Sequence, residues 1–231
     1  MGAKLNIVLV HGAWGDGSHW RHVIPQLDAS GYRVTAVQNP LTSLADDVER
    51  TKQLVAMQDG PTLLVGHSYG GMVITNAGNE PNVVGLVYVA AFAPEEGETP
   101  GGIFGLRAAP PGAAIIAPDN NGFLWLDRDK FHENFCQDLG KEEALVMGLS
   151  QKPIAARCFG DPSGAPAWKT KPSWYQISAQ DRMIPPETEE WFTERMKPQK
   201  TIKLDAGHAS MASHPKEVLA LIEEAAKALS K

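Results

Sequence analysis

The sequence predicts an α/β protein, a parallel sheet of about six strands covered by helices on both faces, with a mainly helical segment inserted late in the order. Three observations carry this expectation. Short apolar runs alternate with stretches of helical periodicity at both ends of the chain, the pattern of a parallel sheet built from strand–helix–strand units. The alternation breaks between Pro94 and about Pro172. And 231 residues, 43% of them hydrophobic, suffice for one sizeable core without disulfide or metal staples.

Leu5 to Val10 is an apolar run ending in His11-Gly12, suited to a buried parallel strand. Trp20, Val23, Ile24 and Leu27 recur at helical spacing and Ser30-Gly31 stops them, so a helix is expected from near His22 with Pro25 in its first turn. Tyr32 to Val37 is the second strand, closed by Asn39-Pro40. Leu44, Val48 and Leu54-Val55 mark a helix capped by Thr42 or Ser43. Thr62 to Val65 is a strand, Gly70 to Gly78 a helix, and Val83 to Ala91 a strand. Late in the chain, Ser173 to Ser178 and Lys200 to Leu204 read as strands, with a helix over Glu187 to Met196 between them. The last helix opens at His214 or Pro215, with Glu217 placed to close a capping box, and buries Val218, Ile222, Ala225 and Leu229.

The stretch from Glu95 to Asn121 is crowded with Gly, Pro and Ala, and two helix-like stretches follow it, Asp127 to Leu139 and Lys141 to Gln151. A structureless loop of this length is improbable inside a compact domain. The expected organisation is a core of residues 1–94 and 166–231 with a cap over residues 95–165.

Composition excludes several classes. A net charge of −6 without long runs of either sign argues against nucleic acid, since phosphate binding needs clustered Lys and Arg. Cys136 and Cys158 are too few and too far apart for a disulfide framework or a metal knuckle, and read as free thiols; no metal is expected. The apolar part of Met1 to Val10 is too short for a signal peptide, Asn6 stands where a myristoylation signal needs Ser or Thr, and Val83 to Ala93 is about half a membrane span. A cytoplasmic protein without a membrane partner is the expectation.

Gly66-His67-Ser68-Tyr69-Gly70 carries the chemistry. It fits G-x-S-x-G, with an apolar strand before it and a helix after it, the setting in which a strained turn lifts a serine hydroxyl clear of the sheet. A serine needs a base, and His208, just after the last strand in Ala206-Gly207-His208-Ala209, emerges at the same carboxyl edge of the sheet. The base needs a carboxylate, and Asp181 follows the strand before it; Asp205 is too close in sequence to reach the imidazole, and Asp161 is a weaker competitor. In His11-Gly12-Ala13-Trp14, Ala13 is the expected oxyanion donor together with Tyr69, while His11 braces the loop. Trp14 either walls the site or packs in the core.

The stretches VLVHGAW, LLVGHSYGGM, VYVAAFAP, DRMIP and AGHASM together resemble the α/β-hydrolases, and among them the small esterase branch that includes plant methylesterases and hydroxynitrile lyases. The resemblance spans nearly the whole chain outside the cap. It implies a Ser68–His208–Asp181 triad, an oxyanion hole at Ala13 and Tyr69, six parallel strands and no cofactor. Hydroxynitrile lyases of this branch carry Thr and Lys where this chain has Gly12 and Ala209, so the resemblance points to an esterase rather than a lyase. Dehalogenases and epoxide hydrolases use an aspartate where Ser68 stands. The function expected is a serine hydrolase of small apolar esters. The alternatives are a slow-turnover ligand receptor on this scaffold, a lactonase or an acyltransferase. Phe123 and Trp125, with Trp14, are the expected pocket residues. The expected partner is a small-molecule ester, and a homodimer stays open.

Overall fold

The structure is a computed structural model that describes residues 5–107 and 109–230. The expectation of no leader rests in part on residues 1–4, which lie outside the described residues.

The first half of the chain runs β1 (Asn6–Val10), α1 (Ile24–Ala29), β2 (Arg33–Ala36), α2 (Leu44–Ala56), β3 (Thr62–His67), α3 (Gly70–Ala77) and β4 (Val83–Val89). The segment after it holds α4 (Pro100–Leu106), β5 (Ile116–Pro118), β6 (Phe123–Leu126), α5 (Phe131–Phe135), α6 (Lys141–Leu149) and β7 (Ile154–Ala155). The chain then completes the sheet with β8 (Ser173–Ser178), α7 (Pro186–Met196), β9 (Lys200–Leu204), α8 (Ser210–Ser213) and α9 (Pro215–Leu229).

Six parallel strands form one sheet in the order β2-β1-β3-β4-β8-β9. β1 and β3 are buried along their whole length because helices cover both faces, which is why they read as unbroken apolar runs. α1 packs with α9 and α2 with α3. The right-handed crossovers leave β1 toward β2 and return past it toward β3, which puts those two helix pairs on opposite faces. The order of strands reverses at β1 and β3, so a crevice opens between their carboxyl ends, where ligands bind in open α/β sheets.

Local signals explain most boundaries. Ser43 caps α2 by accepting a hydrogen bond from Asp46 N–H at 3.0 Å, and Pro25 occupies the first turn of α1, where its missing N–H costs nothing. α9 begins at Pro215 and buries Val218, Ile222 and Ala225 as expected, with Leu229 partly buried. The capping box at Glu217 is not formed: the His214 N–H already donates to Ser210 O at 2.8 Å through the short α8, leaving Glu217 no donor to meet.

The segment between β4 and β8 contains more strand than the mainly helical expectation. β5, β6 and β7 form a three-stranded antiparallel sheet beside α4, α5 and α6. Its turn is built by Asp119, whose Oδ1 accepts from Asn121 N–H and Phe123 N–H, and by Gly122 at φ +81°. α4 forms despite Gly101 and Gly102, because Thr99 caps it and Ile103 is fully buried. Both cysteines are free and buried. Among the described residues no helix is long and apolar enough to cross a membrane.

Burial separates two leucines by consequence. Leu64, fully buried in β3, should cost about 2–5 kcal/mol on substitution by Ala, read as a loss of unfolding free energy in denaturant titration. Leu145, 55% exposed on α6, should change stability by no more than about 0.5 kcal/mol on the same substitution.

Candidate active site

Ser68 follows the last residue of β3 and sits at φ +53°, a left-handed conformation that costs a residue with a Cβ about 1–3 kcal/mol. The fold over-determines it. Its N–H is within hydrogen-bonding distance of Val89 O and Ala90 O at 3.3 and 3.2 Å, and its carbonyl accepts from Gly71 N–H and Phe92 N–H at 2.9 and 3.1 Å. The two glycines of G-x-S-x-G are required by packing: a Cβ on Gly66 would lie 2.7 Å from Gly70 O, and one on Gly70 2.5 Å from Val10 O. The turn is thereby pressed onto the end of β1, and α3 begins directly behind the serine.

The structure brings Ser68, His208 and Asp181 together. His208 Nε2 lies 2.8 Å from Ser68 Oγ, and His208 Nδ1 lies 2.6 Å from Asp181 Oδ2. Asp181 accepts only, so Nδ1 carries the proton and Nε2 is free to receive the serine's. Asp181 Oδ1 accepts from Met183 N–H and Ile184 N–H at 2.6 and 2.8 Å, which fixes the carboxylate plane. The weighed competitors lie elsewhere: Asp205 accepts from Gln180 and Asp161 from Leu44 N–H. His208 is fully buried and Ser68 5% exposed.

The remaining histidines have other partners. His67 ends β3 and donates from Nε2 to the His208 carbonyl at 2.8 Å, its ring centroid 4.7 Å from that of His208. His19 lies on a buried 3-10 turn, Gly17–Trp20, rather than on the first helix, with its ring 6.0 Å from Phe135. His22, outside that helix as well, pairs with Glu143. His132 bonds Leu139 O and His214 bonds Ser213.

The loop after β1 lies against the serine. A Cβ on Gly12 would stand 2.7 Å from Ser68 Cβ and 3.2 Å from Oγ, so only glycine fits there. His11 braces this loop: Nδ1 donates to Gly12 O at 2.8 Å and Nε2 accepts from Asn39 N–H at 3.0 Å, while burial holds the imidazole neutral, its pKa lowered to about 4. The N–H groups of Ala13 and Tyr69 donate no hydrogen bond among the described residues, which leaves both free for an oxygen at Ser68. Sequence reasoning missed what anchors Tyr69: its hydroxyl donates to Asp47 Oδ2 at 2.8 Å, and Asp47 Oδ1 accepts from Leu41 N–H at 2.7 Å. No motif flags Asp47, because its partner is set by how α2 packs on α3.

Of the expected pocket residues, Trp14 stands next to Ala13 in the loop after β1. Trp14 is buried, packs on Phe159, and donates from Nε1 to Leu124 O at 3.0 Å, tying the loop after β1 to β6. Phe123 and Trp125 lie on β6. Side chains alternate along β6, and Leu124 and Leu126 face the core, so Phe123 and Trp125 lie on the opposite face. Trp125 is 38% exposed and bonds Asp119 instead. A cavity of about 700 Å³ lies beside Asp181, lined by Gln180, Arg182, Glu187 and Asp205 among others, but Ser68 and His208 are not among its lining residues.

A serine on a strand–turn–helix elbow, a histidine bonded to it and a buried aspartate behind the histidine define a serine-hydrolase type of site on an open parallel sheet. Residues 7–221 match the family described as Alpha/beta hydrolase family, and the chain belongs to it. The carbendazim hydrolyzing esterase of Nocardioides sp. is 33% identical over 66% of this chain and 67% of its own. Methylesterase 2 of Arabidopsis thaliana is 25% identical over 82% of this chain and 83% of its own. The crystal structure of a pyrethroid hydrolase from Sphingobium faniae superposes with a TM-score of 0.84 at 25% identity, covering 98% of this chain and 99% of that one. Relatives of these kinds put the chain in the esterase branch of the family.

Two tests follow from the loop and its anchor. Gly12→Ala should leave the fold intact by circular dichroism yet lower turnover about 10²-fold, since the added Cβ must displace either the loop or Ser68. Burial pushes the Asp47 carboxyl up to about 6, against its hydrogen bonds from Leu41 and Tyr69. Between about pH 4 and 6 the folded chain therefore holds a proton that the unfolded chain has released, and this group's contribution falls as pH rises. The stability of Asp47→Asn relative to the native chain should rise by about 1–3 kcal/mol from pH 4 to 7, measured by urea unfolding at each pH. A pH-independent difference would show an ordinary carboxylate.

Proposed function

We propose that the protein is a serine hydrolase that cleaves small, apolar carboxylic esters through an acyl-enzyme. The observation that carries this reading is the continuous line from Asp181 Oδ2 through His208 to Ser68 Oγ, with hydrogen bonds of 2.6 and 2.8 Å. Ser68 attacks the ester carbonyl as His208 Nε2 takes its proton. The Ala13 and Tyr69 N–H groups, free of other partners, hold the oxyanion of the tetrahedral intermediate. His208 then protonates the leaving alkoxide. A water molecule, deprotonated by the same imidazole, attacks the acyl-enzyme and releases the acid, returning the proton to Ser68. Asp181 keeps the tautomer and stabilises the imidazolium at each stage.

Residues 95–165 act in this reading as the cap over the site. Three contacts support it: Phe135 of α5 lies edge-on to the His208 ring at 5.0 Å, Ala209 N–H donates to Phe135 O, and Trp14 reaches Leu124 O. An apolar cover of this kind excludes water and strengthens hydrogen bonds to a developing charge.

A panel of chromogenic esters of increasing acyl length tests the reading. Ser68→Ala and His208→Ala should each lose more than ~10³-fold in kcat/KM, and Asp181→Asn about 10²–10⁴-fold, with folding retained. Asp205→Asn and Asp161→Asn should lose far less. Full turnover in either of the first two variants would refute the proposed roles. A single covalent modification of Ser68 without repeated turnover would assign a receptor instead.

A further inference from the structure

The mechanism leaves one buried acid unused. Glu189, in the first turn of α7, is 0% exposed, and no part of the ester reaction described above requires it. Its Oε2 accepts from Ser178 N–H at 3.2 Å, and its Oε1 meets no donor among the described residues. A buried carboxyl oxygen without a donor is costly unless it carries a proton of its own to give away.

The acceptor for such a proton is at hand. Glu189 and Asp181 meet on Ser178, whose N–H donates to Glu189 Oε2 and whose carbonyl accepts from Asp181 N–H at 3.2 Å, and the two carboxyls lie within hydrogen-bonding range. The other titratable groups that interact with Glu189 are Glu190 on its own helix, the neutral phenol of Tyr175 on β8 and the Lys203 ammonium on β9. Burial first, and then the charge of Asp181, push Glu189 well above the usual carboxylate range. Two carboxyls this close and this dry cannot both ionise. Donor count decides which one does. Asp181 receives three N–H donors, from Met183, Ile184 and His208, whereas Glu189 receives one.

We infer that Glu189 is a positioning residue for the triad: held as the neutral acid, it donates its proton to the Asp181 carboxylate and sets how strongly that carboxylate pulls on His208. The inference rests on the triad proposed above. It also explains why the bond has to be to a neutral group. An ionised glutamate beside Asp181 would add a second negative charge and hold the imidazole protonated, when the base must be free.

The test compares the native chain with Glu189→Gln, which keeps a neutral donor of the same shape, and Glu189→Leu, which removes the donor. The readouts are the pH midpoint of the low-field His208 Nδ1–H resonance and kcat and KM on a short chromogenic ester. Glu189→Gln should keep the midpoint within about 0.3 pH units and kcat within about threefold. Glu189→Leu, folded by circular dichroism, should keep KM, lose about 10- to 100-fold in kcat, and move the midpoint upward, because the unshared carboxylate charge stabilises the imidazolium. A midpoint that falls in Glu189→Gln would mean that a negative charge had been removed, and it overturns the inference. So does a folded Glu189→Leu with native kcat and midpoint. Should Glu189→Leu not fold, the midpoint of Glu189→Gln decides alone. The resonance needs no turnover, so a protein that cleaved no ester would refute the hydrolase reading and still leave Glu189 to be decided.

Discussion

The left-handed backbone at Ser68 is the constraint on which the rest of the site depends. A φ of +53° at a residue with a Cβ persists only where its surroundings hold it, and here four backbone partners do so. Those partners come from β4, from the segment after β4, and from α3, so the turn cannot relax without disturbing three neighbours. The same constraint dictates the sequence around it. Gly66 and Gly70 are glycine because the reversed chain returns within contact of itself and of Val10, and Gly12 is glycine because the neighbouring loop must lie against Ser68 Cβ. The pairing of β1 with β3, Val10 opposite Gly66, places the two candidate oxyanion donors on adjacent loops.

Topology brings the other two members in. β8 and β9 lie beside β4, and all strands run the same way, so the loops after β8 and β9 open at the edge where Ser68 stands. Beneath these loops the sheet is polar where a parallel sheet is ordinarily apolar. Gln176 donates to Ser178 Oγ and accepts from Ser210, all three fully buried. Each polar atom matched in this way ties β8 to the turn after His208, and a mismatch of one residue would leave several groups unpaired in a dry interior. The network therefore sets register as well as stability, and it holds the spacing between Asp181 and His208.

Much of this was legible in the sequence because period and punctuation agree there. Ser173–Ser178 and Lys200–Leu204 read as strands with the bounds the structure gives them, since apolar and β-branched runs meet Pro and Asp-Ala-Gly stops. Residues 95–165 were harder. α4 contains a Pro and three glycines, and its helix is stabilised by Thr99 and by burying Ile103, a tertiary effect with no local signature. The β5–β6 hairpin did carry a signal, Asn121-Gly122 ahead of Phe-Leu-Trp-Leu, and composition overshadowed it. Asp47 and Glu189 are illegible for another reason. Each looks like an ordinary helix-surface acid in sequence, and only the packing of α2 on α3 and of α7 on β8 turns it inward.

Electrostatics then follow from burial. His67 and His19 lie near the His208 ring, with His11 next to them in the loop after β1, and burial lowers the pKa of each, to about 4 for His11, about 3 for His19 and well below the ordinary value for His67. All three are therefore neutral near pH 7, and none competes with His208 for the charge of Asp181. His67 is the nearest, and its Nε2–H points at the His208 carbonyl, so it positions the backbone of that residue and adds no charge to the ring. Phe135, stacked on Phe131 and edge-on to His208, completes an enclosure with little polarity of its own. In the proposed reaction, an imidazolium at His208 would have one strong counter-charge in contact with it, the Asp181 carboxylate behind the ring. The apolar enclosure and the neutral histidines are thus part of the same device as the hydrogen bonds they surround.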